Sequence, residues 1–429
     1  MSRFPPPPVN TIDWSNVGFK IREGNYNCPF IRSPSARHIF CGGARPTDRF
    51  IVNGHIESHY SKSRGKWTPL QFVTDPFIRI HGMAPALNYG QQAYEGLKAF
   101  RTPSEEIQVF RPDRNAVRMQ HSAEAVSCPP VPTELFLDAV RAAVSLNAEY
   151  VPPHETGAAM YIRPQIYGSS AQLGLSAPEE YTFCVFVVPT GVYHGTHPVD
   201  GLILDDFDRA APNGTGNAKV GGNYAPVLRW SDRAAQEGFG ITLHLDSATH
   251  SEIDEFSTSG FIGAIENGDD DVTLVVPDSN NVIRSVTSES ITEIGRSFGW
   301  KVERRSIKYT ELPKFSEVMA AGTAAALVPI RSITRRFDPK SPKSISSAVG
   351  QHSRLSTEND KEKVTYVADS AGEAGPICSR LLTQLRAIQL GKVNDEFGWC
   401  FPVSREDGTK VSSESQATNG GAKTVDQLD

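Results

Sequence analysis

The apolar residues of this chain fall into two rhythms. The runs "TFCVFVVP" (182–189) and "DVTLVVP" (271–277) are short, continuous and rich in β-branched residues, and they predict strands. "ELFLDAVRAAVSLNAEYV" (134–151) repeats its apolar positions at helical spacing and predicts a helix. "SESITEIGRSFGW" (288–300) opens on serines and a glutamate, the start of a capped helix. "FSEVMAAGTAAALVPIRSI" (315–333) reads as helix, glycine break and strand. The two rhythms alternate without an internal repeat, so the expected fold class is α/β (α+β).

Polar stretches punctuate this pattern. Residues 1–12 are proline-rich and expected to be disordered. Residues 404–429 hold too few apolar side chains to bury a core, and 338–363 read as a long surface loop for the same reason. "GVYHGTHPVDG" (191–201) carries the Gly, His and Pro of a linker and splits the folded part into two halves.

A length of 429 residues is two to three domains' worth of sequence. The net charge of −6, with signs mixed along the chain, argues against a nucleic-acid or membrane-surface partner. No apolar run is long enough to span a membrane. The N-terminal stretch lacks the apolar core of a signal peptide and the character of a mitochondrial presequence, so the cytosol is the expected compartment. The cysteines at 28, 41, 128, 184, 378 and 400 form no C-x-x-C pair, which points away from a disulfide framework and from a metal site.

One stretch carries candidate chemistry. "APNGTGNAKVGGNYAP" (211–226) sets Lys219 among glycines. It is not a P-loop, because Lys219 follows Ala218 and precedes Val220. Nor is it a dinucleotide fingerprint, because the third glycine position is Lys219 itself. A lysine that forms a Schiff base with pyridoxal phosphate fits better. That cofactor needs a lysine amine, small neighbours that leave room for a flat ring, a carboxylate facing the pyridine nitrogen, and a phosphate cup of N–H groups, hydroxyls and an arginine.

"GTGNAKVGGNYAP" resembles the lysine segment of the branched-chain amino acid aminotransferases, pyridoxal phosphate enzymes of fold type IV. "ALNYGQQAYEGLKAFR" (86–101), "VFRPDRNAVRMQHSAEA" (109–125), "YIRPQIYG" (161–168), "EIDEFSTSGF" (252–261), "SVTSESI" (285–291), "GTAAALVP" (322–329) and "RLLTQLRAIQLGKVNDEFGW" (380–399) resemble further family segments, in family order. The resemblance implies a two-domain fold with the site between the domains, and a homodimer. Its expected parts are an N-terminal extension (1–49), a smaller domain (50–192), a linker (193–202), a larger cofactor-binding domain (203–402) with the insertion 338–363, and a disordered tail (403–429).

By position, the resemblance makes Lys219 the residue of the internal aldimine and the base and acid of the proton shift. Tyr224 would bond the ring's phenolic oxygen, Glu255 would face the pyridine nitrogen, and Arg118 would grip the phosphate. Val286, Thr287 and Thr323 would complete the phosphate cup, and Thr258 would lie near cofactor and substrate. Tyr89, Tyr94, Tyr161, Arg163, Tyr193 and the Ala324 N–H would form the substrate pocket. Such an aromatic pocket suits leucine, isoleucine and valine, and Arg163 or a tyrosine hydroxyl would serve the second carboxylate of glutamate.

The chain departs from the family at several positions. Gly260 stands where an asparagine is usual, and Arg284 and Ser285 replace a proline and a glycine before the phosphate turn, so Ser285 is expected to strain that turn or reshape it. The expected activity is transamination between a branched-chain or similar hydrophobic L-amino acid and 2-oxoglutarate. Alternatives are a divergent paralogue acting on another hydrophobic or aromatic 2-oxo acid in a specialised pathway, another fold-type IV activity, and a catalytically dead relative.

Overall fold

Strand-forming runs assemble into two curled, ten-stranded sheets. This is a computed structural model, and it describes residues 3–15, 17, 52–191, 197–268, 270–336, 344–346, 352–358, 360–368 and 372–413. The first sheet runs in the order Cys400–Val403, Ile107–Phe110, Leu97–Arg101, Ala159–Gly168, Glu180–Thr190, His55–Ser61, Gln71–Val73, Ser412–Ser413. Gln92–Tyr94 pairs with Ala159–Gly168, in register from Gln92 opposite Tyr167 to Tyr94 opposite Gln165. The second sheet runs Ile253–Phe256, Ile241–Leu245, Val199–Ile203, Ala326–Arg336, Glu317–Gly322, Gly260–Gly268, Asp271–Pro277, Lys301–Arg305. Asp271–Pro277 and Lys301–Arg305 are parallel, joined through the helix Val286–Ser297. The fold is the mixed α/β class expected from the two rhythms.

The helices Pro112–Ala125 and Thr133–Ser145 bury Met119, Phe136 and Val140 in a cluster with Ile162 and Phe183 of the first sheet. The helices Val286–Ser297 and Pro376–Gln389 bury Ile291, Ile294, Leu381 and Leu385 against Leu274 and Met319 of the second sheet. Phe100 and Phe110 of the first sheet enter that same cluster, so one apolar core bridges the two sheets. A third cluster, with Leu243, Phe256, Phe261, Phe315 and Ile330, is built on the second sheet.

The strands over 182–189 and 271–277 form as Glu180–Thr190 and Asp271–Pro277. The helix read over 134–151 is Thr133–Ser145, and the one read over 288–300 is Val286–Ser297. The first half of 315–333 differs: Glu317–Gly322 is a strand, not a helix. Its alanines favour a helix, but the segment lies between two strands with nearly every residue buried, and pairing overrides propensity.

Residues 3–15 of the proline-rich start are held to the fold, with Val9 N–H bonded to the Glu149 carbonyl at 3.0 Å and Phe4 packed on the first core. Within the expected surface loop, 338–363, residues 355–358 pair with 361–365, which run two residues past its end, to form a hairpin on the second sheet. The stretch read as a linker ends in the strand Val199–Ile203, and residues 403–413 of the expected tail are folded. Residues 414–429 and 192–196, Tyr193 included, lie outside the described residues.

Glu317 joins sheet to helix. Its carboxylate accepts the N–H groups of Ile377 and Cys378, both at 2.9 Å, at the start of Pro376–Gln389. Glu317→Ala is therefore expected to cost about 1–2 kcal/mol, the scale of a lost helix cap, seen as a lower urea midpoint at unchanged slope.

Candidate functional site

Lys219 is held by its backbone before its side chain does anything. Its N–H donates to Ser122 Oγ at 2.9 Å, and Ser122 is fully buried on Pro112–Ala125. Its carbonyl accepts the Tyr94 N–H at 3.1 Å. The next residue, Val220, bridges to Ala93. The lysine segment is thereby attached to the first sheet, and the Nζ emerges between two rings. It lies 4.8 Å from the Tyr94 ring centre and 5.0 Å from that of Tyr224, and donates to Tyr224 Oη at 3.0 Å. Burial pushes the Tyr224 phenol up, but the lysine's charge and hydrogen bond outweigh it and hold the phenol below its ordinary value.

The glycines around Lys219 serve the chain's own packing. A Cβ on Gly216 would meet Ala210 Cβ at 2.2 Å, and one on Gly221 would meet Gln92 Nε2 at 2.1 Å. The reading that they leave room for a ring is not what these two do; neighbouring segments fill the space.

Glu255 lies on the fully buried strand Ile253–Phe256. Its Oε1 pairs with Arg209 Nη1 at 2.5 Å and accepts the Ile283 N–H at 3.4 Å. Burial raises its pKa to about 7, against the pull of Arg209 and Lys219. Arg209 escaped the sequence reading, because nothing local says which cation a buried carboxylate will take. The same is true of Glu95. It is fully buried and holds Arg118 through two bonds of 2.7 Å, to Nε and Nη2. Arg118 Nη1 donates to the Arg284 carbonyl at 2.8 Å, and Asn115 Nδ2 to Glu95 at 2.7 Å. Three of the five guanidinium donors are used, so two remain for a phosphate.

Val286, Thr287 and Thr323 line one cleft together with Gly96, Asn115 and Gly322. Val286 and Thr287 open the helix Val286–Ser297, whose free N–H groups suit an anion. Ser285 is not strained: its backbone is extended at φ −74°, and its hydroxyl caps the helix by accepting the Ser288 N–H at 3.1 Å. Ser285 and Ser288 also occupy the space an asparagine would need, since a Cβ on Gly260 would meet Ser288 Oγ at 2.5 Å. Thr258 sits exposed in the turn before Gly260, its carbonyl near Gly322.

Tyr94, Tyr161 and Arg163 come together. Arg163 donates to Tyr161 Oη at 3.1 Å, and its guanidinium lies 5.0 Å from the Tyr94 ring and 5.2 Å from the Tyr161 ring. Ala324 lies in the turn between Glu317–Gly322 and Ala326–Arg336. Tyr89 is not brought to this group; it is exposed, and its hydroxyl accepts the Gly174 N–H at 3.2 Å.

These residues fit pyridoxal phosphate. Among the described residues, Arg163 Nε, Arg209 Nε and Ser288 Oγ of the site region are buried polar atoms without a partner. The donor set holds an amine, a carboxylate of raised pKa, an anchored arginine and a helix N-terminus, which are the groups the cofactor needs. Arg118 and the Val286–Thr287 terminus would take the phosphate, Glu255 the ring nitrogen and Lys219 the aldehyde.

The sequence profile of amino-transferase class IV matches residues 92–333. Aminotransferase poxL of Penicillium oxalicum is 48% identical over 400 residues, covering 93% of this chain and 95% of the relative. Branched-chain amino acid aminotransferase gloG of Glarea lozoyensis is 46% identical over 405 residues, covering 94% and 99%. The branched-chain amino acid aminotransferase of Escherichia coli shares the fold with a TM-score of 0.63 at 21% identity, covering 82% of this chain and all of that one.

Glu95→Gln would leave the Arg118 charge buried without its counter-ion. We expect a loss of about 3 kcal/mol of stability in a chemical melt, with weaker pyridoxal phosphate binding by absorbance titration.

Proposed function

The chain belongs to the class IV aminotransferases, and we propose that it moves the amino group between a branched-chain or similarly hydrophobic L-amino acid and 2-oxoglutarate in two half-reactions. Enzymes of this class use pyridoxal 5'-phosphate, which when bound supplies an aldehyde carbon for the amino group and an electron-accepting ring.

The observation that carries the reading is the Lys219 amine, gripped by Tyr224 at 3.0 Å and flanked by the Tyr94 ring. In this reading the Nζ removes the proton from the substrate's Cα and restores one there in the reverse half-reaction. Tyr224 holds the amine in line. Glu255 would face the ring nitrogen from a dry setting, and Arg209 keeps it oriented. Arg118 and the helix N-terminus hold the anionic end of the cofactor. The rings of Tyr94 and Tyr161 give the substrate side chain an apolar wall. Arg163, with an unpartnered Nε, offers a cation to the second carboxylate of glutamate.

A second reading, a paralogue acting on another hydrophobic or aromatic 2-oxo acid, is favoured by Gly260, where two serines replace the usual amide. Homodimerisation is supported by an exposed apolar surface. Leu173 and Leu175 are 79% and 91% exposed, on a loop tied to Met83 and Tyr89 by hydrogen bonds of 3.1 and 3.2 Å. A second copy covering that surface would also bring in Tyr89. The described cysteines, 128, 184, 378 and 400, are all free, which suits the reducing cytosol.

The purified protein should absorb in the visible. L-leucine should bleach that band to the pyridoxamine form, L-glutamate should do the same, and Lys219→Ala should lack the band. A band that answers glutamate but not leucine would move the substrate elsewhere; no band after incubation with pyridoxal phosphate would sink the reading.

A further inference from the structure

A second arginine stands behind the cleft of Thr287 and Thr323. Arg111 lies seven residues before Arg118, at the start of the helix Pro112–Ala125, and its backbone is left-handed at φ +48°. That conformation is unfavourable for a residue with a Cβ and persists only where the surroundings fix it. Here they do. The Arg111 N–H donates to the Trp399 carbonyl at 2.7 Å, and the guanidinium lies 4.7 Å from the centre of the Trp399 ring. The side chain is buried and crosses to the helix Val286–Ser297.

Its bond there leads on to the cleft. Arg111 Nη1 donates to Ser290 Oγ at 2.9 Å, and Ser290 is fully buried. The same hydroxyl donates to the Val286 carbonyl at 2.8 Å. That carbonyl shares its peptide unit with the Thr287 N–H, which lies in the first turn and has no partner within the helix. A peptide is conjugated, so electron density drawn to its oxygen leaves its N–H more positive. Hydrogen bonds in a chain polarise one another, most of all where water is kept out. A chain of donors therefore runs from a fixed cation, through a hydroxyl and a carbonyl, to the N–H of a residue that lines the cleft.

The other partners of Arg111 do not cancel this. Nη2 pairs with Glu293 at 3.4 Å and approaches Glu289 at 3.9 Å, but both carboxylates are partly exposed and water screens them. Ser290 takes the shorter bond, out of water. We propose that Arg111 is a positioning residue for the cofactor's phosphate: it fixes the first turn of Val286–Ser297 and, through Ser290 and the Val286 carbonyl, strengthens the Thr287 N–H as a phosphate donor. The helix Pro112–Ala125 then serves the phosphate twice, directly through Arg118 and at one remove through Arg111. This rests on the reading of Arg118 and the Val286–Thr287 terminus as the phosphate site.

The test compares two probes on the full-length protein, freed of cofactor and titrated by visible absorbance. Pyridoxal 5'-phosphate uses the phosphate site; pyridoxal carries the same ring and aldehyde without the phosphate. Arg111→Met should weaken pyridoxal 5'-phosphate about tenfold and Ser290→Ala about fivefold, the scale of a lost hydrogen bond. Neither should change the binding of pyridoxal. Ser290→Ala removes a single oxygen atom, so it keeps the test decisive should Arg111→Met fail to fold. A residue that only held the fold together would weaken both probes alike, and that result overturns the proposal. So does an unchanged affinity for pyridoxal 5'-phosphate in both variants. A selective loss in Arg111→Met with none in Ser290→Ala keeps the hold on the helix and overturns the chain through the hydroxyl. A wild type that binds the two probes equally overturns the phosphate site itself, and the proposal with it; failure in the variants alone leaves that site standing.

Discussion

The backbone clamp on Lys219 is the constraint on which the site depends. One bond reaches the buried Ser122 hydroxyl and another the Tyr94 N–H, so the lysine segment becomes an extra rung on the first sheet. The carboxylate that faces it, Glu255, belongs to the second sheet. The distance between amine and carboxylate is therefore set by how the two sheets pack. The apolar core that contains Phe100, Phe110, Leu274 and Leu385 sets that packing. Mechanical precision at one side chain is a property of the whole core.

Two buried ion pairs, Glu255 with Arg209 and Glu95 with Arg118, give the site its charge pattern. They are built differently. Glu95 meets its arginine through two bonds and an asparagine supports it. Glu255 meets Arg209 through one oxygen, and its pKa stays near 7 despite the cation. The first pair fixes the position of Arg118 and leaves two of its donors unused. The second is open, and a group placed beside Glu255 decides its charge.

Much of this was legible in the sequence. The strands at 182–189 and 271–277 and the helices near 134 and 288 were written in apolar spacing, and burial enforces such spacing. Lys219, Tyr224, Glu255 and Arg118 could be named because each lies in a stretch of distinctive local order. What was hidden depends on partners distant in sequence. Glu317–Gly322 has a helix former's composition and becomes a strand because strands flank it on both sides. Arg209 and Glu95 look like ordinary surface charges until the fold buries them. Gly216 and Gly221 suggested space for a ligand, but the space is taken by Ala210 and Gln92. Tyr89 carries a pocket residue's signature, yet it is exposed and its hydroxyl is bonded to the Gly174 N–H.

The end of the chain has an architectural role of its own. Cys400–Val403 lies along one margin of the first sheet, beside Ile107–Phe110, and Ser412–Ser413 lies along the other, beside Gln71–Val73. Residues 400–413 thus supply the outermost strand on each side of a sheet whose other strands lie between residues 55 and 190. The neighbours of those strands lie about 300 residues or more away along the sequence, so the sheet is completed by contacts of high sequence separation, which are slow to form. Until they form, Ile107–Phe110 and Gln71–Val73 are the bare edges of the sheet.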